Sequence, residues 1–261
     1  MRRIPLTLAL VLVLGACSPA ASSGPSAPSP TRPAASPVAP LPSPSEPPAE
    51  AGPEPLPESS TFVVVPAARW VPMYAKPEAR KAAFSFGTRN WSGRRAPLLV
   101  LDDHVDGAGE RWFEVQLPVR PNGRSAWIRE ADVRRLHVRR ERIVVDLSSH
   151  TLRHYRGERL LHRLKVGIGA MATPTAVGTF SVWVKMEYED ASGPYGPFAL
   201  GLSGFSPVLE DWPGGGRLAI HGTGNPADRG RQVSHGCIRV YNPELELLRD
   251  VPLGTPVTIR R

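Results

Sequence analysis

The chain has 261 residues, a formal net charge of +8 and two cysteines. That length allows one or two domains, and two cysteines are too few for a disulfide framework. The 32 lysines and arginines are scattered without a recognition motif, which argues against a nucleic-acid partner.

Residues 1–17 read as an export signal. Arg2 and Arg3 precede an apolar run at residues 4–14, too short for a comfortable membrane span. The run ends in Leu14-Gly15-Ala16-Cys17, small residues before a cysteine, as in a bacterial lipoprotein cleavage box. Cys17 is then expected to become the first residue and carry a lipid anchor; the rival reading is an ordinary signal peptide with an incidental cysteine. The protein is expected to be exported, lipid-anchored in the cell envelope and monomeric. Acylation of Cys17 leaves Cys237 with no intramolecular disulfide partner. A lone thiol in an oxidising compartment is a liability, so its presence favours chemistry.

Residues 18–60 hold 14 of the chain's 30 prolines and almost no large apolar side chains. Such a segment cannot bury enough surface to fold. It reads as a disordered Pro/Ala/Ser-rich tether, with a reach on the order of 100 Å if it is extended.

Residues 61–138 read as a small β domain. Short apolar runs (Phe62-Val63-Val64-Val65, Leu98-Leu99-Val100-Leu101, Trp112-Phe113-Glu114-Val115, Ala126-Trp127-Ile128) alternate with turn signals such as Asn122-Gly123. The Trp112-Phe113-Glu114-Val115 and Ala126-Trp127-Ile128 phrases resemble a bacterial SH3-like barrel. Trp70, Trp112 and Trp127 are either groove residues or core, and their large apolar area favours core.

Residues 141–261 read as a second, β-rich domain with one or two short helices, so the whole chain is expected to be mainly β. Strands are expected at 143–147, 151–155, 160–166, 178–184, at 218–220 leading into His221, and at 254–259. One helix is expected from Pro243 to Val251, capped by Asn242, with Leu245, Leu248 and Val251 as its apolar stripe.

The chemistry concentrates in Ser234-His235-Gly236-Cys237-Ile238-Arg239 and upstream in His221-Gly222. A thiol is a weak nucleophile until deprotonated, and an imidazole is the group that takes its proton. Both His221, at the expected end of a strand, and His235, two residues before Cys237, qualify on this reading. Backbone N–H groups of Gly236 and Cys237 are expected to stabilise an oxyanion. Ser234 is expected to bond within its loop. Arg239 would hold a substrate carboxylate, favour the thiolate, or stabilise the loop. The Gly/Pro/aromatic stretch 187–201, with Tyr195, is either a lid beside the substrate or a connector. A zinc site on His221, His235 and Cys237, a papain-like endopeptidase and a non-catalytic wall-binding lipoprotein are the rivals.

The Ser-His-Gly-Cys stretch with its following Arg239 and Asn242, the upstream His221, Gly167-Ile168-Gly169, Thr173-Pro174 and the opening at 143–155 together resemble the bacterial L,D-transpeptidase catalytic domain. The resemblance implies a cysteine acyltransferase that needs no cofactor or metal. Cys237 is its nucleophile, His221 its base, and Gly222 the carbonyl that orients the base. Its substrate is a peptidoglycan stem tetrapeptide, which forms a thioester with loss of D-Ala and then a 3–3 cross-link. Water as acceptor would make it an L,D-carboxypeptidase instead. The resemblance also implies acylation by carbapenems.

Overall fold

The computed structural model describes residues 60–211 and 214–261. The export signal, Cys17, the tether up to residue 59 and Trp212 lie outside the described residues. Everything described is mainly β and belongs to a single compact unit, Ala49–Arg261.

The first sheet is antiparallel, in the order β6-β5-β4-β1-β7. Its strands are β1 (Thr61–Pro66), β4 (Leu98–Val105), β5 (Arg111–Gln116), β6 (Ser125–Arg129) and β7 (Val133–Arg139). A separate hairpin of β2 (Trp70–Met73) and β3 (Phe84–Gly87) flanks it. β1 is central and buried on both faces: Val64 joins a core with Leu98, Phe113 and Ile128, while Val63 faces Gly254 of the second half. Of the three tryptophans expected in this core, Trp112 is buried, whereas Trp70 lies exposed on the flanking hairpin against Gly87.

The second half is built on an eight-stranded sheet, β10-β9-β8-β17-β12-β13-β14-β16. The strands on one side are β8 (Glu141–Asp146), β9 (Thr151–Arg156), β10 (Arg159–Lys165) and β17 (Pro256–Arg260). The others are β12 (Gly178–Glu187), β13 (Phe198–Phe205), β14 (Arg217–Thr223) and β16 (Ile238–Tyr241). Two short strands, β11 (Ile168–Gly169) and β15 (Gln232–Ser234), pair in parallel beside it. β13 is buried at every position, which its almost wholly apolar and small residues permit. The pairing of β14 with β16 is parallel, with His221 opposite Arg239. His221 therefore lies inside a strand, two residues before its end, and not at the terminus that the sequence suggests.

The expected nine-residue helix is instead one α turn, α1 (Asn242–Leu245), followed by a 3-10 turn at Glu246–Leu248. Asn242 does not cap it; its Nδ2 donates to the carbonyl of Ala191, 3.0 Å away. Leu245, Leu248 and Val251 are buried as the stripe predicted. Lys185 Nζ donates to the Arg249 carbonyl, and Pro252 ends the run. Among the described residues no helix is long and apolar enough to cross a membrane.

The two sheets are joined by side chains that satisfy each other's backbone. Asn90 Nδ2 donates to Trp183 O, Gln116 Nε2 to Thr179 O and Arg139 Nε to Leu253 O. Arg120 donates to the carbonyls of Ser206, Leu209 and Gly215. Asn122 makes a reciprocal pair with Phe205, donating to its carbonyl and accepting from its N–H. Asn122 thus does more than turn the chain beside Gly123 (φ +84°).

Candidate active site

Cys237 lies one residue before β16 and lines a cavity of about 440 Å³. The register of β14 with β16 brings it alongside Ala219, whose backbone hydrogen-bonds the thiol. Tyr188, Tyr195, Ala199, Arg217 and, from the turn between β3 and β4, Trp91 line the same cavity. Strand alternation sends Arg217, Ala219 and His221 to one face of β14.

His221 is buried, and its Nδ1 lies 2.9 Å from the Gly222 carbonyl. A carbonyl only accepts, so Nδ1 carries the proton and Nε2 is left as the acceptor. The ring meets Tyr195 edge-on with centroids 5.2 Å apart, and Tyr195 stacks on Tyr188 at 5.4 Å. The Tyr195 carbonyl accepts the N–H of Gly222 at 2.8 Å, so the loop between β12 and β13 is pinned to the histidine strand.

That junction needs glycine twice. Gly196 sits at φ +67°. A Cβ on Gly222 would lie 2.3 Å from Asn242 Oδ1 and 2.8 Å from Gly196 Cα. Gly222→Ala is therefore expected to cost about 1–3 kcal/mol of stability, read from a urea melt, and to lower turnover by shifting the carbonyl that orients His221.

Burial pushes the His221 pKa down to about 4, and Arg239 adds to this, while the Gly222 carbonyl and Asp228 oppose it. Burial pushes the Cys237 thiol up, against the Ala219 hydrogen bond and the charge of Arg239. Both shifts favour the uncharged thiol and imidazole over the thiolate–imidazolium of an activated cysteine.

A stability consequence follows for His221. Its folded pKa lies below the ordinary imidazole value of about 6.5, so the unfolded chain binds the extra proton first. Stability is full above about pH 6.5 and falls as pH drops toward about 4, by up to about 3 kcal/mol. Melts of wild type and His221→Gln across that range check this, the variant showing the shallower dependence; His154, also pushed down by burial, supplies a residual slope in both.

Ser234 is buried and bonds within its loop, as expected: its hydroxyl donates to the Cys237 carbonyl at 2.5 Å and accepts the Gly236 N–H at 3.1 Å. Gly236 (φ +113°) therefore spends its N–H inside the loop, and that bond must open before the group can face an oxyanion. His235 is exposed and outside the cavity lining. Arg239, for which a substrate carboxylate, the thiolate and the loop were the expected roles, pairs with Asp228 at 3.2 Å, and its charge also acts on the Cys237 thiol. Asp228 is buried and also accepts from Thr223 Oγ1 and Asn225 Nδ2.

The sequence reading missed Trp91, Arg217 and Asp228. Arg217 was detectable in principle, since it shares the parity of His221 on one strand. Trp91 was not, because nothing local joins residue 91 to residue 237. Among the described residues no group of three or more His, Cys, Asp and Glu is placed to hold a metal ion.

Cys237, just before β16, therefore lies beside the strand that carries the buried His221, and a thiol next to an imidazole is the pairing that cysteine nucleophiles use. Residues 140–259 match the model of the YkuD family, described as the L,D-transpeptidase catalytic domain.

Among curated relatives, the putative L,D-transpeptidase YkuD of Bacillus licheniformis is 37% identical over 119 residues, 45% of this chain and 64% of that protein. Its Bacillus subtilis counterpart is 34% identical over 120 residues, 46% of this chain and 65% of that protein. The chain thus spans slightly under two thirds of the length of these relatives. A solved catalytic domain of the Enterococcus faecium L,D-transpeptidase is 26% identical, covering 48% of this chain and 99% of that one with a TM-score of 0.36.

Proposed function

We propose that this protein is a peptidoglycan L,D-transpeptidase. Cys237 attacks the carbonyl of the third residue of a stem tetrapeptide, D-Ala leaves, and the thioester passes to an amine of a second stem to give a 3–3 cross-link. The observation that carries this reading is the neutral His221, its Nδ1–H donated to Gly222 and its Nε2 available as an acceptor, on the strand beside Cys237.

The proton of the thiol moves to Nε2 as the sulfur attacks, which suits a pair that rests uncharged. The same imidazolium then protonates the leaving amine. The developing oxyanion is met by the N–H of Cys237 and by that of Gly236 once it leaves Ser234 Oγ. Tyr188 and Tyr195 flank the donor as a lid seated on His221. The five-stranded sheet of residues 61–139 is compatible with the SH3-like barrel suggested by its motifs. Lipidation at Cys17 and the proline-rich tether would let the enzyme reach the wall from a membrane.

Intact-mass analysis of residues 60–261 with a disaccharide-tetrapeptide, and separately with a carbapenem, tests the reading. The expected result is an adduct on Cys237 together with released D-Ala and cross-linked dimer. Trimmed monomer without dimer would show water as the acceptor and a carboxypeptidase. No adduct and no turnover, from a folded protein whose thiol still titrates, would leave a wall-binding protein.

A further inference from the structure

Arg217 is mostly buried beside the cavity that holds Cys237, and its charge has no counterpart. Among the described residues no carboxylate lies within ion-pair distance of it. Its two Nη groups donate to the carbonyls of Leu202 and Pro118, at 2.9 and 3.2 Å. Its Nε is buried without a hydrogen-bond partner. Three rings surround the guanidinium, with centroids 3.9 Å away at Trp183, 4.3 Å at Phe205 and 5.2 Å at Trp91. Burial, and the like charge of Arg120 after it, pull its pKa down to about 10, still charged at pH 7.

The rings offset part of the lost hydration. They do not supply an anion, and a two-carbonyl clamp leaves the planar fork with donors to spare. A carboxylate is the group that fits such a fork, and a dry, ring-walled setting strengthens the bond. Arg239, the other arginine near the thiol, already holds Asp228.

The turn between β3 and β4 completes the arrangement. Trp91 is 53% exposed, yet its placement is fixed. Asn90, itself buried, donates to Trp183 O and accepts from the N–H groups of Ser92 and Arg94, which folds the turn that presents Trp91. Trp91 then packs edge-on against Trp183 at 5.3 Å. A large aromatic held rigidly and half in solvent at a cavity wall is a contact surface awaiting a ligand.

We propose that Arg217, framed by Trp91, binds a free carboxylate of the acyl-donor peptide and so selects donors by charge. This rests on the acyl-transfer reading above. The carboxylate belongs either to the leaving C-terminal residue or to the side chain of the third residue, and both offer the same chemistry.

The test uses three donors: a disaccharide-tetrapeptide with both carboxylates free, one amidated at the C-terminus, and one amidated on the third side chain. Wild type is expected to show a KM raised roughly 10- to 100-fold for one of the two amides, which identifies the carboxylate. Arg217→Lys, which keeps charge but not the fork, is expected to raise KM for the free acid toward the wild-type value for that amide, and to lose the discrimination. Trp91→Ala leaves both carbonyl bonds of Arg217 in place and is expected to weaken the same discrimination by a smaller factor. Equal KM for all three donors with active wild type overturns the proposal without reference to any variant. Variants that slow all three donors alike overturn it too, because that is the mark of a structural arginine. Wild type inactive on every donor overturns the acyl-transfer reading itself, and this proposal with it.

Discussion

Cys237→Ala is expected to abolish acylation outright and to lower turnover by at least about 10⁴-fold, since no other group at the site can form the thioester. The cavity and Ala219 accommodate the smaller side chain, so folding is expected to survive, as a melt within a few degrees of wild type will show.

His221→Ala is expected to fall by about 10²–10⁴-fold, the usual range for a general base. Its pH dependence is diagnostic. The acid limb of kcat/KM in wild type is expected near pH 4, where His221 takes its proton, rather than near the 6.5 of a free imidazole. In the variant that limb disappears, and rate instead tracks hydroxide up to the thiol pKa, itself pushed up by burial. His235→Ala, an exposed change outside the cavity, is expected to lose far less. An equal loss at His235 and His221 would reassign the base.

The second large effect is expected from separating the halves. A fragment of residues 140–261 holds the matched catalytic family and every residue of the proposed nucleophile and base. It nevertheless loses the Asn90 bond to Trp183, the Gln116 bond to Thr179, the Arg120 and Asn122 bonds to the segment 205–215, and the Pro118 carbonyl that holds Arg217. It also uncovers Trp183 and Val184, which pack against Ala96.

Losing several buried hydrogen bonds and this apolar contact is expected to cost on the order of 5 kcal/mol. The fragment should aggregate or melt well below residues 60–261, and any soluble fraction should react more slowly with tetrapeptide. A fragment as stable and active as the longer protein would show that the first sheet is only a spacer, and calorimetry with a turnover assay on both proteins decides it.

The joint between the halves explains what could and could not be read in advance. The strands announced themselves through local pattern: Ile143 and Val145 alternate inward, and Leu245, Leu248 and Val251 form a buried stripe. The stripe was legible although the helix was not. Its short segment is held by Lys185 and stopped by Pro252, and a stripe three residues apart suits a 3-10 turn as well as an α-helix.

The candidate thiol stood out because a cysteine, a histidine and a glycine in one short loop, with a second histidine upstream, are chemically unusual together. The choice between His221 and His235 on the residues alone was not legible. It depends on burial and on a strand pairing 18 residues apart, which sets His221 opposite Arg239. The pairing of Arg239 with Asp228 was hidden for the same reason, since the two are not neighbours along the chain.

The amino-acid sequence by itself therefore determined the β-rich class and singled out the loop around Cys237 as the candidate site, because these rest on local periodicity and on residue types whose chemistry does not depend on the neighbours. Only the tertiary structure decided which histidine is buried, that Arg239 is already paired, and that Trp91 from the turn between β3 and β4 reaches the thiol's cavity. Each of these follows from desolvation and from contacts across long stretches of chain, and such contacts exist only once the sheets have packed.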